Sequence, residues 1–303
     1  MKKLLAIVLF AIAMSAMAKE TITVVYSWTP ADVAANFHRQ IVEEANRIQD
    51  KYNFIFDAKP GAGGSIAALY VQNTPNTILA NSSAFYIRPN FFPAESQNID
   101  KFREILPVCS APITISSKKY KSWKEVPTDR PLTIGVSGLG ITTHLVATEI
   151  AKKYPQLTVV PFKSTSEALV AVLGNNTDFA VTFMGDVEQY KNPTDSKNKV
   201  YTLGITGSKT VNGVAPLISQ GFPKILEDMS SPAQEFVTTS MSDEKFKELR
   251  AILFKAAKAK SVKEAMAVDY CQPLNDMSDN QIDPWFNLQR SRWKNIASGI
   301  TLK

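Results

Sequence analysis

Ile134-Gly-Val-Ser-Gly-Leu-Gly-Ile-Thr-Thr-His-Leu-Val146 decides how this chain is read. An apolar run, Leu132 to Val136, gives way to Ser137, Gly138 and Gly140, and then to hydroxyl residues opening an apolar-periodic segment. Strand, glycine-rich turn and helix start in that order aim several backbone N–H groups at one point. The first N–H groups of a helix have no internal partner and the helix dipole is positive there, so such a point attracts anions. A second loop, Lys59-Pro60-Gly61-Ala62-Gly63-Gly64-Ser65-Ile66, follows the apolar run Tyr52 to Ala58 and precedes Ala67, Ala68, Leu69 and Val71. Two such loops, in segments that read as different domains, suggest an anionic ligand held between them.

Working outward, residues 1–18 combine Met-Lys-Lys, an apolar stretch from Leu4 to Ala13, and Ala16-Met17-Ala18. This is the pattern of a secretory signal peptide cleaved near Ala18, and the apolar run is too short to span a bilayer. The mature protein is expected to start near Lys19, outside the cytoplasm. Its length of about 285 residues favours two domains over one. The precursor carries a net charge of +6, and losing Lys2 and Lys3 leaves about +4. The lysines are scattered, which argues against a nucleic-acid partner. Cys109 and Cys271 are compatible with a disulfide in an export compartment and equally with buried thiols. His38 and His144, the only histidines, lack a second ligand at metal-binding spacing, so no metal is expected.

Apolar runs alternate with helical patterns, the mark of α/β units with mainly parallel sheets. The runs are 22–26, 54–57, 77–80, 113–116, 132–136, 158–161, 179–183 and 201–206. Helices are expected over 30–49 and 143–153, and from the capping pattern Ser164-Thr165-Ser166-Glu167 to Gly174. The segment 207–235 reads as a loop with short turns. Ser242-Asp243-Glu244 opens another helix, and a final one carrying Trp285, Leu288, Trp293 and Ile296 starts or kinks at Pro284. Because the strands of 113–206 form a self-contained set, the expected domains are 19–112 plus 235–303, and 113–234. Two connections at the junction favour hinge closure.

Catalytic signatures are incomplete. The glycines at 135–140 are only a relative of the dinucleotide fingerprint, and the next strand ends Val160-Pro161-Phe162-Lys163 without the acid that would hold a ribose. Neither glycine loop has the Gly-Lys-Ser/Thr of a phosphate-binding loop. Gly135-Val136-Ser137-Gly138-Leu139 puts leucine where a serine hydrolase needs glycine. Asp32, Asp186 and His144 could serve acid–base chemistry, but no spacing requires it. Each candidate also has a structural role open to it: Gly61, Gly63 and Gly64 as a tight turn, Thr142, Thr143 and Asp186 as helix caps, His144 as a hydrogen-bonded core residue, and Trp28, Phe85 and Tyr86 as core. The residues alone give an exported two-domain α/β protein with an anion cleft.

The ordered set of motifs resembles the solute-binding proteins of tripartite tricarboxylate transporters, the Bug family of periplasmic receptors. It comprises Pro60-Gly61-Ala62-Gly63-Gly64, Ser137-Gly138-x-Gly140-x-Thr142-x-His144-Leu145, Val160-Pro161-Phe162-Lys163, Leu173-Gly174 with Asp178, Leu203-Gly204-Ile205-Thr206, Gly221-Phe222-Pro223, Trp293-Lys294 and Gly299-Ile300. The resemblance implies an α/β periplasmic binding protein of the Venus-flytrap kind, each domain a mainly parallel sheet flanked by helices. It also implies a receptor, not an enzyme, that captures a small carboxylate and delivers it to membrane permease subunits. A monomer without cofactor is expected on the same ground; an exported enzyme or a sensor is the alternative.

Carried over by position, the ligand contacts would come from Ser27, Trp28, Thr29 and Asp32 after the first strand, and from Gly63, Gly64 and Ser65. Ser82 and Ser83, then Ser137, Gly138, Gly140, Thr142, Thr143 and His144, and finally Asp186 complete the set. One departure matters: the family's Gly-Gly before Pro-x-Asp is replaced by Trp28-Thr29, and its arginine by Asn36. A larger apolar ligand part, or a carboxylate displaced toward Ser27 and Thr29, would follow. The family's Gly-Tyr ahead of Thr77-Ile78-Leu79 is also missing.

Overall fold

The computed structural model describes residues 19–302 except 193, 195, 230–232, 240 and 275; the expected signal peptide lies outside them. The first half runs β1 (Glu20–Tyr26), α1 (Val33–Arg47), β2 (Tyr52–Ala58), α2 (Ser65–Asn73), β3 (Thr77–Ser82), α3 (Ala84–Phe91) and β4 (Arg103–Ser110). Then follow β5 (Ile113–Ser117), β6 (Leu132–Val136), α4 (Thr142–Ala151), β7 (Leu157–Pro161), α5 (Thr165–Leu173), β8 (Phe179–Phe183), α6 (Met184–Lys191) and β9 (Tyr201–Ile205). The chain closes with α7 (Ile225–Asp228), β10 (Ala233–Thr238), α8 (Asp243–Ala257), α9 (Lys260–Val268), β11 (Gln272–Pro273) and α10 (Asp279–Ser298).

The strands form two sheets, ordered β11-β4-β10-β3-β1-β2 and β7-β6-β8-β5-β9. Both are mixed rather than mainly parallel. β1, β2 and β3 run parallel, as do β6, β7 and β8, because a helix carries the chain back between them. β4 and β5 are separated only by Ala111-Pro112, so the chain passes straight from one sheet to the other. β5 therefore lies antiparallel to β8 and β9, and β10, returning, lies antiparallel to β3 and β4. These crossings set two lobes side by side with the C-terminal ends of their parallel strands facing a shared cleft.

Local chemistry explains most boundaries. Ser164 Oγ accepts from Glu167 N at 3.1 Å and opens α5; the left-handed residue beyond it is Asn175, not Gly174. Ser242 Oγ accepts from Lys245 N at the start of α8. α10 starts earlier than Pro284 suggests: Ser278 and Gln281 form a capping box, and Pro284 sits inside the helix, giving up one ladder bond. The 207–235 segment holds the short helix α7 and the first strand turn of β10 as well as loops.

One hydrophobic cluster runs through both lobes, joining Phe85, Leu145, Phe179 and Leu226 to Phe286 and Trp293 of α10. The final helix thus packs across the junction, with Trp293 fully buried and Leu288 on the outside. Cys109 and Cys271 form a disulfide across a sequence separation of 162 residues. It ties β11 to β4, where Pro273 pairs with Cys109. Replacing both cysteines with serine should lower unfolding free energy by about 2–5 kcal/mol through the entropy returned to the unfolded chain. Urea unfolding of the double variant beside the wild type, with and without reductant, measures this; reductant should shift only the wild type.

Candidate functional site

A narrow cavity opens between the lobes. Its first-lobe wall includes Tyr26, Trp28, Asp32, Ser82 and Gln234, and its second-lobe wall Ser137, Thr142, Thr143, Phe183 and Asp186. Of the residues singled out from sequence, Trp28, Asp32, Ser82, Ser137, Thr142, Thr143 and Asp186 therefore come together. Tyr26, Thr165 and Gln234 line it as well and carried no signal; Gln234 fell in a stretch read as loop.

The other predicted residues hold the lobes to each other or build the turns. Gly63 does not face the cavity. A Cβ there would strike Ile141 at 2.8 Å, and one on Gly138 would stand 3.0 Å from Gly63 Cα. The two glycine loops thus meet backbone to backbone across the cleft, with φ of +57° at Gly63 and +136° at Gly138. Gly64 packs against Asn81 and Ser27. Ser65 Oγ accepts from Arg88 Nε at 3.0 Å, and Arg88 Nη1 donates to Leu139 O at 2.5 Å on the other lobe. Ser83 and Thr142 hydroxyls bond at 2.9 Å, and Thr29 and Ser164 hydroxyls at 3.1 Å, both across the junction. Ser27 is fully buried behind the wall.

The Ser137–His144 turn satisfies part of its own donor set. Gly140 N donates to His144 Nδ1 at 2.9 Å, and Ser137 N donates to Thr143 Oγ1 at 3.2 Å. His144 is therefore a structural acceptor here, with its proton on Nε2, and Gly140 turns at φ +67° against the Phe92 ring. What remains for a ligand is the first turn of α4, with the hydroxyls of Ser137, Thr142 and Thr143 beside it. Ile141 precedes it with no capping side chain.

The carboxyls are the other feature. Asp32 occupies the N-cap position of α1 without capping it; Thr29 Oγ1 donates to its Oδ1 at 3.3 Å instead. Asp186 Oδ2 accepts from Phe183 N at 3.0 Å, closing the start of α6. Burial pushes Asp32 up to about 6, against hydrogen bonds from Ser166 and Ser164 that pull it down. Burial, then the nearby Asp32 charge, pushes Asp186 up to about 7. Asp269, behind the wall, is raised by burial and by both of these acids; its carboxyl presses on Gly185, so any side chain at 185 would collide with it. The disulfide two residues on, and Tyr270 at φ +52°, hold that segment in place. Among the described residues no lysine or arginine lines the cavity.

No family model matches the chain, and no characterised protein matches it by sequence. Solved structures do. The periplasmic binding protein BugD aligns with a TM-score of 0.81 at 18% identity, over 92% of this chain and 97% of that one. MatC of Rhodopseudomonas palustris with bound malate gives 0.77 at 17% identity over 93% and 100%. Another protein of R. palustris, solved with adipate, gives 0.78 at 16% over 93% and 97%. The fold is that of a two-domain periplasmic binding protein. Among the described residues no helix is long and apolar enough to cross a membrane.

The raised acids dictate a pH dependence. Asp32, Asp186 and Glu235, the last buried and pushed up to about 8, bind protons more tightly folded than unfolded. Their contribution to stability is complete in acid and is lost as pH rises through those values. His38, lowered by burial to about 4, has the opposite sign but finishes titrating by its ordinary 6.5. Between pH 6.5 and 8 the acids act alone, so the melting temperature without ligand should fall across that window. Asp186→Asn with Glu235→Gln should make the fall shallower, with Asp269 and Glu104, also raised by burial, sustaining the rest; calorimetry at stepped pH measures it.

Proposed function

We propose that this protein is a periplasmic solute-binding receptor of the tripartite tricarboxylate transporter type, the Bug family, taking up a small organic acid. The observation that carries the reading is a cavity walled by both lobes, with the uncapped first turn of α4 and the hydroxyls of Ser82, Ser137, Thr142 and Thr143 around it. Helix-terminal amides and hydroxyls are suited to an acid group, since hydrogen bonds to a charged acceptor contribute about 1.5–3 kcal/mol each. Malate and adipate in the proteins of similar fold point to the same ligand chemistry.

In this reading β1 to β4 and the chain from β10 onward form one lobe and β5 to α7 the other, the boundary falling just before β10 rather than at the expected 235, and ligand joins their half-sites as the hinge closes. The exported, closed, monomeric protein then hands its acid to membrane permease subunits. Trp28, with Tyr26 edge-on to it at 5.7 Å, fills the space where the family carries glycines, so the acid lies toward α4 and the serine side. A receptor fits better than an enzyme because His144, the histidine nearest the hydroxyls, is committed to a backbone N–H.

A thermal-shift screen of mono-, di- and tricarboxylates tests this, since binding to the native state raises the melting temperature by mass action. At least one organic acid should do so, and none doing so sinks the reading. Ser82→Ala and Thr143→Val should each weaken the acid that binds by about tenfold, the loss of one hydrogen bond of roughly 1–1.5 kcal/mol. Gly140→Val should act differently. Its Cβ would meet the Phe92 ring at 2.6 Å, so the lobes cannot close, and small-angle scattering should show a protein left open with acid present.

A further inference from the structure

Three carboxyls drawn from both lobes are buried at the cavity. Asp32 and Asp186 line it and are 7% and 4% exposed. Asp269 lies behind the wall at 2% exposure, between α9 and β11, and so belongs with Asp32 to the lobe opposite Asp186. Contact sets its position. A Cβ on Gly185 would stand 2.2 Å from Asp269 Oδ1 and 2.4 Å from its Cα, so the segment after α9 rests on the main chain one residue before Asp186. Donors are shared unequally among the three. Asp32 accepts from the hydroxyls of Thr29, Ser166 and Ser164, and Asp186 from Phe183 N and Thr165. Asp269 Oδ1 has no hydrogen-bond partner among the described residues. A buried carboxylate without donor or cation is costly and takes a proton instead, so Asp269 holds charge least well of the set.

The other charged and titratable groups around the cluster do not neutralise it. Tyr26 of β1 is kept protonated by burial and by the same three acids. His38 of α1 is held neutral by burial. Arg39 of α1 is turned toward the Phe56 ring and Pro30 O. Lys191 of α6 is matched to Glu188 at 2.7 Å.

We propose that these three acids couple closure to protons: the closed receptor holds its organic acid together with protons on Asp32, Asp186 and Asp269, and loosens its hold as the pH rises. Asp269 is the member that acts without lining the cavity. The inference rests on the receptor reading above and adds to it a condition for release. In that reading the lobes part to admit ligand, which takes Asp186 away from the other two and returns water to the wall. Closure sets the three acids beside one another again, and an anionic ligand adds a further negative charge.

The sign follows from which form binds protons more tightly. Burial raises Asp32 to about 6; burial, then Asp32, raises Asp186 to about 7; burial, then Asp186 and Asp32, raises Asp269. Groups that are raised on closure favour it in acid, and that contribution is lost as the pH climbs through the raised values. Binding therefore takes protons up, and affinity falls through neutral pH.

Isothermal titration of the mature protein with butanoate, benzoate, malate and adipate between pH 6.5 and 8 tests this. Simple carboxylic acids stay ionised over that range, so the protein's own groups are read. The acid that binds is expected to lose about tenfold or more in affinity across the window, the slope of roughly one proton per ligand. At pH 7, buffers of different ionisation heat should report net proton uptake. Asp269→Asn should match the wild type at pH 6.5 and bind several-fold tighter than it at pH 8. Affinity that stays level or rises with pH, without proton uptake, overturns the coupling and leaves the organic-acid receptor standing. Asp269→Asn weakened alike at both pH values is the mark of a structural residue and also overturns the proposal. No binding by any of the four acids overturns the receptor reading and this inference with it.

Discussion

The structure turns on a contact between two stretches of bare main chain. Gly138 of the second lobe stands against Gly63 of the first, closer than any side chain allows, and both have positive φ. Around that point Ser83 meets Thr142 and Arg88 reaches Leu139 O. Because the glycines let the loops touch, the first turn of α4 is brought over the end of β3, and a cavity exists at all. A β-carbon at either position would hold the lobes apart and leave two shallow half-sites. The glycines therefore shape the cavity through the contact between the loops, and they fall outside its wall while Ser82 and Thr143 lie on it.

Much of this was legible in the residues, and what was not has a physical cause. The runs 132–136 and 179–183 are strands over those same residues because an interior parallel strand is apolar throughout. Ser164 and Ser242 announced their helices through cap chemistry. β4 and β10 did not announce themselves. β4 contains Glu104 and Pro107, and β10 contains Gln234 and Glu235, polar residues that a buried strand ordinarily excludes. Pro107 is tolerated because it sits where the register of the two strands shifts. Glu104 and Glu235 are tolerated because they lie on adjacent strands, and Tyr86 Oη donates to Glu235 at 2.5 Å. The same disguise hid Gln234 from the candidate site. Asp269 was hidden differently, since only the disulfide and the left-handed Tyr270 carry it to Gly185.

Net charge misleads about the cleft. The chain is positive overall, yet its cationic side chains lie away from the cavity and the acids lie within reach of it. A positive surface steers an organic acid toward the molecule through the long-range field, while the local donors and acceptors decide what is retained. The two operate over different distances, so a basic protein with an acidic pocket is not a contradiction. Reading the ligand's charge from composition alone conflates encounter with recognition.

Closure and recognition are then linked by desolvation. Asp32, Asp186 and Asp269 are all buried where the lobes meet, and each carboxyl so buried must either take a proton or find a cation. A ligand shifts the balance toward closure only by its differential affinity for the closed form. One that merely fills space contributes packing. The buried acids thus oppose closure unless they hold protons, and that opposition grows as the wall loses its protons at neutral pH.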